Sequence, residues 1–205
     1  MNSHNDGSWG LTPGELRKLR ALKTPAGIQR YLDRLPYHLA STAWSPQRVL
    51  REGTAHCLEG AIFAAAALRA IGFPALIFDL EAEHDTDHVM AVFQVRGHWG
   101  TIAKSNWTGC HGRDPVFRNL RELAMSYFNT YCNRRRERSL RTYSRPVNLA
   151  RFDRQRWMVA EDVWFIAEYL CDIPHTKLLM PGMKRHLTRV DERLFKAELT
   201  GHRWK

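Results

Sequence analysis

Residues 53–106 read GTAHCLEGAIFAAAALRAIGFPALIFDLEAEHDTDHVMAVFQVRGHWGTIAKSN. This stretch decides the fold. Cys57 opens a helix over about 57–71, whose run of alanines at 64–67 combines high helix propensity with little bulk. Such a helix can lie close against a sheet. Gly72 suits its C-terminal cap, and Pro74 prevents continuation. The apolar run at 75–80 has strand length, and EAEHDTD at 81–87 is a polar turn. HVMAVFQV at 88–95 reads as a second strand, Gly97 marks a hairpin, and WGTIAKS at 99–105 returns. This order can bring Cys57 and His88 together across 31 positions.

Chemistry follows from that juxtaposition. Unpaired N–H groups at a helix N-terminus favour a thiolate and can bind an oxyanion. An imidazole beside the thiol takes its proton and later returns it to a leaving group. His88, at the start of its strand, is best placed for this. His56 adjoins Cys57 but does not face it along a helix, His84 lies on the turn, and His98 lies in the hairpin. A third group should orient the imidazole. Ser105 and Asn106 on the returning strand are candidates, with Asp79 and Asp87 as alternatives, and the sequence leaves the choice open.

AHCLEGAIFAAAALRAIGFPALI and DHVMAVFQVRGHWGTI together resemble the transglutaminase-like superfamily of papain-type cysteine enzymes. The resemblance covers about residues 45–106. It implies Cys57 as nucleophile, His88 as general base, and acyl chemistry on amides. The family's aspartate, four residues beyond the hairpin Trp99, is replaced by Ala103. Ser105 would share that strand face, and Asn106 would imitate the asparagine of papain-like enzymes. The aromatic residue that often follows the family's cysteine is replaced by Leu58.

Working outward, Thr12-Pro13 with Glu15, Thr24-Pro25 and Ser45-Pro46 each carry helix start signals. They predict helices to about Leu22, to Leu35 and through Leu50. Trp44 and Gln47 could line a cleft before Cys57. Residues 1–11 read as disordered. Beyond the hairpin, 110–115 is a loop, and Val116, Leu120, Leu123, Tyr127 and Tyr131 form one helical stripe. Arg134, Arg135, Arg136, Arg138 and Arg141 form a basic exposed segment, and 142–156 is irregular. Further helices are expected over about 160–171 and 184–199.

The expected fold is α+β: a small antiparallel sheet on a central cysteine-bearing helix, with more helices at both ends. One domain spans 1–205, with a catalytic-type core at about 45–106 and a helical, basic part at about 116–205. At 205 residues and 44% hydrophobic, the chain can form a real core. It has no apolar run of about 18 residues and no secretory signal, so no membrane span and a cytoplasmic location are expected. The four cysteines read as free thiols.

The formal charge is +10. Residues 1–100 carry 10 Lys/Arg against 10 Asp/Glu, and residues 101–205 carry 21 against 11. A solvated face accounts for this, and an acidic partner would exploit it. No base-stacking motif accompanies the arginines, so support for nucleic acid is weak. Cys57, His84, Asp85, Asp87 and His88 are legitimate metal ligands, but they form no closed four-ligand spacing, and neither metal nor cofactor is expected.

The sequence therefore favours cysteine-dependent hydrolysis or amine transfer on a peptide or protein amide through Cys57 and His88. A non-catalytic binding module with the same fold, taking an acidic or nucleic-acid partner, is the alternative.

Overall fold

The computed structural model describes residues 7–203. The expectation of disorder over residues 1–6 lies outside the described residues. Over 7–11 the chain instead packs: Leu11 is buried, and the Arg69 guanidinium lies 4.7 Å from the Trp9 ring centroid.

The helices are α1 (Pro13–Arg20), α2 (Pro25–Arg34), α3 (Pro46–Glu52), α4 (Cys57–Ala70), α5 (Leu120–Phe128), α6 (Trp164–Asp172) and α7 (Glu192–Glu198). The first three begin where the sequence signals them. Thr12, Thr24 and Ser45 each accept a main-chain N–H from the first turn of the helix that follows. Thr12 and Glu15 complete a capping box. The strands are β1 (Leu76–Ala82), β2 (His88–Val95), β3 (His98–Ile102), β4 (Arg113–Phe117), β5 (Leu140–Ser144), β6 (Val147–Asn148) and β7 (His175–Lys177). They form one antiparallel sheet in the order β4-β3-β2-β1-β5-β7, with β6 also paired to β1. The fold is α+β.

The β2–β3 hairpin turns at Arg96 and Gly97, both at positive φ (49° and 80°). Two such residues match the right-handed strand twist. On β1 and β2, Ile77, Val89, Ala91 and Phe93 point into a core built on α4 with α1–α3 and α6. Phe78, Leu80, Met90 and Val92 point into a second core with Leu123, Ala124 and Tyr127 of α5. Both faces of β2 are thus covered, which is why its sequence is an apolar run rather than an alternation. α4 is buried from Leu58 through Leu68. Its Gly60 lies under the segment leaving β3: a Cβ there would stand 2.4 Å from Lys104 Cβ. Lys104 donates to the carbonyls of Leu32 and Leu35, a cation at the C-terminus of α2.

Several expectations are corrected in the second half. Residues 113–117 form β4, so Val116 is an exposed strand residue, not part of a helical stripe. The segment after α5 returns as β5, and β7 follows Pro174, so the part beyond 116 completes the same sheet as well as adding helices. These strands are short and half-exposed, and their weak apolar alternation hides them in the sequence. The last expected helix divides into a 3-10 turn at Met183–His186 and the short α7. No described helix is long and apolar enough to cross a membrane.

Candidate functional site

The chain just before α4 is laced to the segment after α2. Tyr37 bridges Ala55, His38 N–H donates to the Ala55 carbonyl, and Thr54 donates to the Pro36 carbonyl. This holds Tyr37 and His38 beside the first turn of α4. There a cavity of about 450 Å³ is lined by Tyr37, His38, His56, Cys57, His88 and Tyr131, among others. Cys57 and His88 share it.

Cys57 is partly accessible, but its sulfur sits in an enclosed position. Burial is the largest influence and pushes the thiol pKa up, and the nearby Asp79 carboxylate adds to this. The main-chain N–H groups of Val89 and Leu58 and the Tyr37 hydroxyl point at the sulfur and pull the other way. The contact with Val89 N–H sets the sulfur at the very start of β2, one residue from His88.

His88 lies on the face of β2 shared by Met90 and Val92, toward α5. Its Nε2 is 2.9 Å from the Cys110 carbonyl oxygen. A carbonyl only accepts, so Nε2 carries the proton and Nδ1 keeps its lone pair. Burial lowers the pKa to about 4, with Arg113 adding to the shift and the carbonyl opposing it. At neutral pH the site therefore rests as a neutral thiol with a neutral imidazole.

Ser105 Oγ accepts from Trp107 N–H. Asn106 clasps the C-terminal segment, donating to the Arg203 carbonyl and accepting its N–H. Asp87 accepts Ala82 N–H across the β1–β2 turn, and Asp79 bonds His175. None of these four contacts involves His88. The partner of His88 is instead the Cys110 carbonyl, while Ala103 is packed in the second core. Trp44 and Gln47 do not line the cavity: Trp44 stacks under His38 at 4.1 Å, and Gln47 donates to Glu15.

Neither a protein-family model nor a curated protein matches this chain.

A second constellation, which the sequence pattern does not signal as a site, adjoins the same cavity through His38, Thr42 and His56. Glu59, 0% exposed, is the hub. Its Oε1 accepts Thr42 Oγ1–H at 2.5 Å and Trp44 N–H at 3.3 Å. Its Oε2 accepts His56 N–H and lies 3.1 Å from His38 Nδ1. His56 Nε2 donates to the Thr42 carbonyl at 2.7 Å. One ligand atom from each of His38, His56 and Glu59 falls within 4.8 Å of the others. Both carboxylate oxygens already hold protein donors, and His56 Nε2 carries a proton, so the donor set fits a hydrogen-bond network better than a cation. The residues at 84–88 that could have ligated a metal are spread over other partners: Asp85 accepts from Ser139, and His84 sits at positive φ on the turn. The one signal available in the sequence was Glu59 itself, a lone charge inside the apolar helix CLEGAIFAAAAL. An acid at a buried helical position needs partners.

Two arginines of the basic segment are tied down by their side chains. Arg141 pairs with Glu83 at 2.8 Å and donates to the Arg138 and Leu140 carbonyls, and Arg138 donates to Thr188. Arg134 reaches the cavity lining.

Proposed function

We propose that the protein is a cysteine-dependent acyl-transfer enzyme of the transglutaminase-like kind, acting on amides with Cys57 as nucleophile and His88 as general base. One observation carries this reading: Cys57, at the N-terminus of α4, shares a cavity with an imidazole whose Nε2–H is tied to a carbonyl, leaving Nδ1 as the base. In the proposed reaction Cys57 Sγ bonds to the carbonyl carbon. Its proton passes through His88 to the departing nitrogen as the C–N bond breaks. Water or an amine then attacks the thioester and frees the thiol. The N–H groups of α4's first turn are the donors for the oxyanion. Because the resting pair is neutral, proton transfer accompanies attack rather than preceding it.

A second reading has its own support. Burial raises the Cys57 thiol pKa and lowers that of His88, and a non-catalytic binding cavity tolerates both. Exposure to p-nitrophenyl acetate with mass spectrometry separates the two. The enzyme reading expects acetyl-Cys57, absent in Cys57→Ala and formed at least about tenfold more slowly in His88→Ala. Acetylation of Cys57 no faster than that of Cys171 would favour the binding module.

A further inference from the structure

We propose that His38, oriented by Glu59, is the base that activates the attacking water at the acyl-Cys57 stage; this rests on the acyl-transfer reading above. Four observations converge on His38. Its Nδ1 lies 3.1 Å from Glu59 Oε2 and 3.3 Å from Thr42 Oγ1, so the Nδ1 proton is donated there and Nε2 keeps its lone pair. The carboxylate is wholly buried and anchored by main-chain N–H groups of Trp44 and His56, so it holds the ring from a fixed point. The ring stacks on Trp44 at 4.1 Å and lies near-parallel to His56 at 5.9 Å, which restrains its plane. Finally, His38 lines the cavity that Cys57 also lines, with Nε2 the ring nitrogen not engaged by Glu59.

A carboxylate behind an imidazole stabilises the imidazolium formed when Nε2 takes a proton. The Cys110 carbonyl behind His88 offers less, being uncharged. The cavity therefore holds one imidazole suited to orienting the thiol and another suited to storing a proton. At the thioester stage, the water oxygen bonds to the acyl carbon as its proton passes to His38 Nε2. The tetrahedral species collapses with rupture of the C–Sγ bond. The departing thiolate takes that proton back, and the acid product leaves. Atoms and charge balance without a further reactant.

The test uses p-nitrophenyl acetate on the full chain, with the p-nitrophenolate burst reporting acylation and steady turnover reporting deacylation. His38→Gln is expected to keep the burst within about twofold while slowing turnover about 100-fold, so that acetyl-Cys57 accumulates in the mass spectrum. The retained burst also certifies the fold. Hydroxylamine, which needs no base, should release the acetyl group from wild type and His38→Gln equally, and added imidazole should restore turnover to His38→Ala. Turnover of His38→Gln at the wild-type rate would overturn the assignment. So would burst and turnover falling together in both variants. Absence of any Cys57 burst in the wild type would overturn the acyl-transfer reading itself, and this inference with it.

Discussion

The imidazole of His88 donates its Nε2 proton to the Cys110 carbonyl oxygen at 2.9 Å, so a main-chain group stands where a carboxylate would be expected behind a catalytic histidine. An uncharged acceptor fixes the tautomer without stabilising imidazolium. That has a consequence for stability. The folded pKa, about 4, is below the ordinary value of 6.5. Between those values the unfolded chain holds the proton and the folded one does not, so stability falls as pH drops through this window. The full effect is about 3 kcal/mol at pH 4 relative to pH 7. Urea unfolding of wild type and His88→Gln at pH 7 and pH 4.5 checks it: the wild type should lose more stability on acidification than the variant.

Asp79 and His175 form a buried pair at 3.1 Å, and Asp79 Oδ1 has no hydrogen-bond partner among the described residues. Burial, outweighing the His175 hydrogen bond, holds the carboxyl pKa above its ordinary range. His175→Ala would remove the side-chain partner of Oδ2 as well. The expected loss is about 3 kcal/mol near neutral pH. It should shrink as the pH falls and the carboxyl group takes up a proton. Urea titrations at two pH values measure both the loss and its direction.

Gly60→Ala opposes two effects. Alanine improves helix propensity by about 1 kcal/mol. Its Cβ, however, would stand 2.4 Å from Lys104 Cβ, whose ammonium is tied to Leu32 and Leu35 carbonyls and resists displacement. Overpacking wins, with a net destabilisation of about 2 kcal/mol. A lowered melting temperature is the expected result.

The cysteines differ in access. Cys171 is exposed and Cys57 partly so, whereas Cys110 and Cys132 are buried. Burial raises the thiol pKa of all four, Cys132 to about 11, so access is what separates them. With iodoacetamide at pH 8, peptide mapping should find label on Cys171 and Cys57 first. Cys110 and Cys132 should react only once denaturant is added.

Much of the central fold was legible. Helix starts at Pro13, Pro25 and Pro46 carried local cap chemistry, and α4, β1, β2 and the Arg96-Gly97 hairpin carried length, periodicity and turn signals. β4, β5 and β7 were not legible, because short half-exposed strands owe their existence to neighbours far away in sequence. At the site, Cys57 and His88 were visible from their positions at element starts. Cys110 could not be foreseen as the partner of His88, since a main-chain carbonyl has no sequence signature. Ser105 and Asn106 looked eligible by register, but each is engaged elsewhere, by Trp107 and Arg203.

By itself the sequence determined the central elements and put Cys57 and His88 at the starts of two of them, because caps, turns and apolar runs act over a few neighbouring residues. Only the tertiary structure decided which groups meet. The Tyr37–Ala55 bridge carries His38 to Glu59, and the Thr108–Cys110 turn carries a carbonyl to His88. Those meetings depend on how the β3 exit and the α2–α3 connection pack around the start of α4, and no local pattern encodes that.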